Sequence, residues 1–200
     1  MELVGKKIAV SHLTVKFGGT VLFDDFSVEF EAGTTTGILA PSGSGKTTLL
    51  NEIAEREIAA GRKVSFIFQE PRLIDGISIL ENVALPLKNE MKSGDAYDKA
   101  GKILDKMGLG NKKNERPTKM SGGEKQRVSI ARALAFPSET ILMDEAFQSL
   151  DKETKKRVMD FAKETIERER RTAILVTHDE AEAQELCGKI LTLGNHVTKA

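Results

Sequence analysis

The chain has 200 residues, enough for one domain with a sizeable core, and 30 Lys and Arg residues balance 30 Asp and Glu residues. Zero net charge gives no overall field that would draw the chain to nucleic acid or to acidic lipid. The single cysteine, Cys187, excludes an internal disulfide and a multi-cysteine metal site. No apolar run has the length of a membrane span or of a signal peptide, so we expect a cytoplasmic protein.

The first thirty residues predict antiparallel strands. Apolar residues alternate with polar ones over residues 8–30, and Gly18-Gly19 separates two of the runs. Asp24-Asp25 predicts a break between two strands. Glu31-Ala32-Gly33 predicts a further turn before the next strand, at residues 35–40.

That strand leads into a loop of small residues and then into a helix, in the stretch GILAPSGSGKTTLL over residues 37–50. Backbone N–H groups in such a loop, together with the helix dipole, form an anion site. Lys46 supplies a full charge at the β- and γ-phosphates, and the Thr47 hydroxyl suits Mg²⁺. The alternative is a Gly/Ser-rich turn before an amphipathic helix. We predict binding of a nucleoside triphosphate by Ser42, Gly43, Ser44, Gly45, Lys46, Thr47 and Thr48.

The middle of the chain predicts one strand and then helices. A helix to about Ala60, with Gly61 as its C-cap, precedes a strand at 64–68 that we expect to be covered on both faces. No strand-like run occurs over 72–118, where a capping box at Ser78 and an apolar stripe over 96–107 predict a helical insert.

The last eighty residues alternate helices and strands. We predict helices at 121–135, from about Asp151 to Arg171, and at 180–186, with strands at 141–143, 173–177 and 189–193. Strands that alternate with helices around a phosphate loop predict an α/β fold with a parallel sheet.

Two polar clusters carry candidate chemistry. Asp144 and Glu145 follow a buried strand, where parallel sheets place their ligands, so Asp144 would hold Mg²⁺ and Glu145 would act as general base. The alternative is a solvated acidic turn. Gly122 and Gly123 follow Ser121 in a first helical turn, where each glycine costs about 1 kcal/mol against alanine. They suit close approach to an anion, which would be the γ-phosphate held by another subunit, although Ser-x-x-Glu is also a plain capping box.

Six motifs in order resemble the ATP-binding subunit of an ABC transporter, over nearly the whole chain. They are residues 40–48, Gln69, residues 121–127, residues 141–145, Ser149-Leu150-Asp151 and Thr177-His178-Asp179. Arg72-Leu73, residues 80–87 and Glu145-Ala146-Phe147 resemble importer subunits of the nitrate/sulfonate/taurine type. The chain departs from the family pattern where Met120 and Glu124 replace a usual Leu and Gln, where Ala146 replaces a usual Pro, and where Gln148-Ser149 replace a usual Ser-Ala. In addition, only 23 positions separate Lys46 from Gln69, where the family usually has a longer segment.

The resemblance implies roles for four further residues. Gln69 would contact Mg²⁺ and the attacking water, and His178 would contact the γ-phosphate; with Glu145 and Lys46 they make the predicted catalytic set. Phe17 would stack on adenine, or only fill the core as an alternating strand residue. Asp151 would line the dimer interface, or only cap its helix.

The resemblance also implies an organisation and partners. It implies a P-loop NTPase core (37–70 and 119–200), an N-terminal antiparallel β region (1–36) and a helical insert (71–118). The chain would hydrolyse ATP with Mg²⁺ in a head-to-tail homodimer and power uptake through a membrane permease on the inner face of the membrane, with a solute-binding protein upstream and no nucleic acid partner. The alternatives are a soluble ATPase acting on DNA or ribosomes, and a nucleotide-binding regulator without turnover.

Overall fold

The computed structural model describes residues 4–17, 20–41, 43–193 and 197–198. It contains eight strands and six α-helices within these residues. The strands are β1 (Ile8–Phe17), β2 (Thr20–Phe30), β3 (Thr35–Leu39), β4 (Val64–Ile67), β5 (Thr140–Asp144), β6 (Thr172–Thr177), β7 (Lys189–Thr192) and β8 (Val197–Thr198). The helices are α1 (Lys46–Ala59), α2 (Ile79–Ala84), α3 (Ser93–Lys106), α4 (Gly122–Ala135), α5 (Lys152–Arg168) and α6 (Glu180–Leu186).

The strands form two sheets. One has three strands in the order β1-β2-β8, and the other has five in the order β4-β5-β6-β3-β7. In the larger sheet β3 pairs in parallel with β6 and β7, and β5 pairs in parallel with β6. All residues of β5 and β6 are buried, as expected for central strands covered on both faces. The predicted α/β fold with a parallel sheet and an antiparallel N-terminal region is confirmed.

The chain divides into two compact units. The first comprises residues 1–64, 138–145 and 166–200, and it holds the hairpin, α1, α6 and the central strands. The second comprises residues 65–137 and 146–165, and it holds α2, α3, α4 and most of α5. The finer division at residues 36, 70 and 118 stays a prediction. No helix among the described residues is both long and apolar enough to span a bilayer.

One expectation for the N-terminal sheet is wrong, and one of its strands was not predicted. β2 runs unbroken through Asp24-Asp25, because a bulge absorbs the irregularity: Asp25 and His12 both have φ of 52°, and the Asp25 N–H donates to Thr14 Oγ1 at 3.1 Å. The sequence also gave no sign of β8, which pairs in parallel with β2 at Phe23 and Asp24. Two residues are too few to show a periodic pattern.

Two other elements differ from their predicted form. β4 is less completely buried than the sequence predicts: Ser65 and Ile67 are buried while Val64 and Phe66 are half-buried, and β4 is the edge strand of its sheet. α5 ends at Arg168, three residues before the predicted end. Arg170 adopts a left-handed φ of 50°, which stops a helix.

The carboxyl ends of three central strands lie at one edge of the sheet. Leu39 at the end of β3 pairs with Thr177 at the end of β6, and Asp144 at the end of β5 pairs with Val176. The residues that follow these strands therefore meet in the first unit, where an open parallel sheet binds its ligands.

Candidate nucleotide site

The loop between β3 and α1 has the backbone that the sequence predicts for a phosphate loop. Gly43 and Gly45 have φ of 81° and 85°, in the left-handed region that glycine adopts without strain. Gly45 is the N-cap of α1, and the Ser44 hydroxyl donates to the Pro41 carbonyl at 2.8 Å. Thr48 is half-buried in the first turn of α1. Ser42 lies outside the described residues.

Lys46 is buried at the start of α1, and its ammonium group makes two contacts within the first unit. It donates to the Ala40 carbonyl and to Glu145 Oε1, both at 2.9 Å. The first contact folds the side chain back along its own loop. The second joins the phosphate loop to the residue that follows β5.

Glu145 is the centre of this cluster. His178 Nδ1 lies 3.0 Å from both of its carboxylate oxygens, and Thr177 Oγ1 lies 3.4 Å from Oε2. The Glu145 backbone has a left-handed φ of 47°, and its N–H donates to the Val176 carbonyl at 2.9 Å. A non-glycine residue in this region is strained, and such strain persists where the surroundings fix it. The structure thus brings Lys46, Glu145 and His178 together.

Burial and hydrogen bonds act in opposite directions on the pKa of Glu145. Burial raises this pKa, but hydrogen bonds from His178 and Lys46 outweigh it and hold the pKa below its usual range. The carboxylate is therefore ionised near neutral pH. An ionised carboxylate is the form that can accept a proton.

Asp144 lies beside the first turn of α1. Its Oδ2 accepts a hydrogen bond from Thr47 Oγ1 at 2.6 Å. Burial raises the pKa of Asp144, although the Thr47 hydrogen bond lowers it. A buried carboxylate next to a hydroxyl fits a divalent cation, whose charge would compensate the burial. No group of three or more His, Cys, Asp or Glu side chains suited to a metal occurs in the described part of the chain.

In the second unit, the start of α4 has a complete capping box. The Ser121 hydroxyl accepts from the Glu124 N–H at 3.3 Å, and Glu124 Oε2 accepts from the Ser121 N–H at 3.0 Å. A Cβ on Gly122 would meet nothing within 4 Å, whereas one on Gly123 would lie 3.0 Å from the Ser149 carbonyl oxygen. Packing against the Ser149 carbonyl therefore explains the glycine at 123. Gly122 has free space around it, so packing does not explain the glycine there.

Three further candidates, Gln69, Asp151 and Phe17, complete the predicted set of site residues. Gln69 Nε2 lies 3.4 Å from Gln148 Oε1 in the second unit. Asp151 Oδ1 accepts from the Thr154 N–H at 3.0 Å, so the predicted capping role is present. The side chain of Phe17 lies outside the described residues, and adenine stacking stays a prediction.

Sequence reasoning gave no role to Gln126, which is 1% exposed in the second unit. Its side-chain amide contacts the carbonyls of Phe68 and Ala146, which flank Gln69 and Glu145 in the chain. Gln126 lies between Lys125 and Arg127 in the sequence, so no local pattern indicated that its side chain is buried.

Residues 23–148 match the family described as ABC transporter. The chain is 35% identical to the aliphatic sulfonates import ATP-binding protein SsuB 1 of Paracoccus denitrificans, over 97% of this chain and 82% of that protein. It is 32% identical to the sulfate/thiosulfate import ATP-binding protein CysA of Escherichia coli, over 93% of this chain and only 57% of that protein.

Among solved structures, the fold matches the ATP-binding cassette MJ0796 in its dimeric post-hydrolysis state bound to ADP and Pi. The TM-score is 0.83 at 30% identity, over 98% of this chain and 97% of that one. The geometry of the phosphate loop, the family match and this agreement lead to one conclusion. The chain belongs to the ABC transporter family, as an ATP-binding domain that hydrolyses ATP.

Proposed function

We propose that the chain is the Mg²⁺-dependent ATPase subunit of an uptake system, working as a head-to-tail homodimer. ATP would lie between the phosphate loop of one copy and residues 121–123 of the other. The contact between Lys46, Glu145 and His178 carries this proposal, because it places a cation, a base and a hydrogen-bond donor at one point.

The chemistry follows from these three side chains. Glu145 accepts a proton from the attacking water while the water oxygen bonds to the γ-phosphorus. The bond from the γ-phosphorus to the bridging oxygen breaks, and its electron pair leaves with ADP. Lys46 leaves Glu145 for the β- and γ-phosphates, and His178 donates to the γ-phosphate, so both stabilise charge that grows in the transition state.

Mg²⁺ would be held by Thr47 and Asp144, with the side-chain oxygen of Gln69 as a further ligand. When bound, the ion neutralises charge on the β- and γ-phosphate oxygens. The 2.6 Å contact between Thr47 and Asp144 supports this assignment, because both oxygens already point to one place.

The second half of the site is proposed to come from another copy of the chain. The start of α4 presents helix N–H groups beside Gly122, where free space lets a phosphate approach the backbone. The similar cassette MJ0796 forms a dimer, which supports the same assembly here.

Uptake is the direction we propose, because SsuB 1 and CysA are both named as import ATP-binding proteins. The partners would be an integral membrane permease, bound from the cytoplasmic face, and an upstream solute-binding protein. Neither relative's name refers to DNA or ribosomes. The solute would be chosen by the permease, since the residues of the ATP site recognise phosphate.

The test is Glu145→Gln, which keeps the shape of the side chain and removes the base. We expect ATP to bind, dimers to accumulate with ATP, and hydrolysis to fall about a hundredfold or more. Release of phosphate and size-exclusion chromatography with ATP measure these effects. A variant that hydrolyses ATP as fast as the wild type would refute the role of Glu145.

A further inference from the structure

The side chain of Gln126 joins two loops of the second unit to α4. It lies one helical turn after Gly122 and is 1% exposed. Its Nε2 donates to the Phe68 carbonyl at 3.1 Å and to the Ala146 carbonyl at 2.8 Å. One amide group therefore connects three separate segments of the chain.

The orientation of this amide is fixed by its partners. Both partners are carbonyl oxygens, so only the nitrogen of the amide can face them, and a flipped amide would place three oxygens together. Gln126 Oε1 then points elsewhere, and no donor in the described part of the chain reaches it. A buried acceptor without a donor is unfavourable, so packing alone would favour an apolar side chain here.

The two carbonyls belong to residues next to the chemistry. Phe68 immediately precedes Gln69, and Ala146 immediately follows Glu145, whose backbone has the strained φ of 47°. Fixing the Ala146 carbonyl restrains the rotation of the chain just after Glu145. Strained conformations need such external restraint to persist.

A second contact joins the same two segments at the surface. Gln69 Nε2 lies 3.4 Å from Gln148 Oε1, a long distance for a hydrogen bond between exposed side chains. The two hydrogen bonds of Gln126 are shorter and less exposed to water, so they are the stronger connection.

We propose that Gln126 is a positioning residue for ATP hydrolysis, which fixes the carbonyls of Phe68 and Ala146, the chain neighbours of Gln69 and Glu145, against α4. The inference rests on the roles proposed above for these residues. In the proposed dimer, residues 121–123 contact the γ-phosphate that the other copy holds, and this contact fixes the first turn of α4. The Gln126 amide then fixes the chain next to Gln69 and Glu145. The base, Glu145, is therefore aligned when the second copy is bound.

The test is Gln126→Met, which keeps the length of the side chain and removes both donors. We expect kcat for ATP hydrolysis to fall about tenfold to a hundredfold, because small displacements of a base have effects of this size. KM for ATP should stay within about twofold, because Gln126 contacts no predicted ATP ligand. Gln126→Asn, which is one methylene too short to reach both carbonyls, should show the same pattern and serves if the methionine variant does not fold.

Ser129→Ala is the matched control. Ser129 is buried on the same helix, and its hydroxyl has no partner among the described residues, so its loss should leave kcat and KM at wild-type values. Wild-type kcat in both Gln126 variants would overturn the inference, as would an equal loss in Ser129→Ala. Glu145→Gln, measured alongside, separates the two proposals: if it retains full activity, the role of Glu145 fails instead.

Discussion

Gly45 and Gly43 provide a matched pair that tests why the phosphate loop needs each glycine. Both have left-handed φ, so alanine at either position costs about 1–2 kcal/mol of backbone strain. Only at Gly45 would the new Cβ meet other atoms: it would lie 2.9 Å from the ring of Phe23, whereas nothing lies within 4 Å at Gly43.

Phe23 is fully buried, so its ring cannot move aside without disturbing the core. Overpacking of this kind costs about 1–3 kcal/mol, so Gly45→Ala should lower the free energy of unfolding by about 2–5 kcal/mol in total. Gly43→Ala should lower it by about 1–2 kcal/mol.

Urea denaturation of the two variants and the wild type, without nucleotide, measures the difference directly. The change in unfolded-chain entropy is the same for both substitutions and cancels in the comparison. Equal destabilisation by the two variants, or a larger effect at Gly43, would refute the reasoning.

Two further predictions concern the proposed magnesium site and the first turn of α4. Thr47→Val removes the hydroxyl that contacts Asp144, so the Mg²⁺ concentration for half-maximal ATPase activity should rise about tenfold. Thr47→Ser keeps a hydroxyl and should match the wild type. An unchanged Mg²⁺ titration in Thr47→Val would contradict the role of Thr47 as a Mg²⁺ ligand. Hydrogen bonds from Lys112 and from the Ser121 N–H lower the pKa of Glu124 below its ordinary value of 4.5. The ionised Glu124 therefore stabilises the fold fully above pH 4.5, and this stabilisation is lost as the pH falls through the lowered pKa. Glu124→Gln should therefore flatten the acid limb of a plot of urea midpoint against pH, and an unaltered limb would count against this ion pair.

The sequence predicted elements best where a pattern extends over many residues or a motif is local. α6 has the bounds predicted for it, and both capping boxes, at Ser78 and Ser121, are confirmed. The phosphate loop is similarly local, because strand, glycines and helix are continuous in the chain.

Features that depend on partners distant in sequence could not be predicted. The left-handed backbone of Glu145 and the continuous path of β2 through Asp25 depend on neighbours across a sheet. The contact between Lys46 and Glu145 joins residues 99 positions apart. Gln126 is the clearest example, because nothing in its local sequence identifies Phe68 and Ala146 as its acceptors.

The central claim is that each ATP site is shared by two copies of the chain, and a mixing experiment tests it most directly. Lys46→Ala disables the phosphate loop, and Gly122→Asp places a negative charge at the start of α4. Gly122 has free space around it and acidic residues suit a helix N-terminus, so the second variant should fold. Each variant alone should be inactive.

Random pairing of the two variants gives mixed dimers with one intact site, so the mixture should recover about a quarter of the wild-type rate. The control mixes wild type with the double variant, Lys46→Ala with Gly122→Asp. Its mixed dimers have no intact site, so only the wild-type pairs, about a quarter of all dimers, should hydrolyse ATP. The rate should therefore be about a quarter of that of the same total amount of wild type, whereas independent sites would give about a half. If the two single variants stay inactive when mixed and the control keeps half of the rate, each copy hydrolyses ATP in a site of its own and the shared site is contradicted.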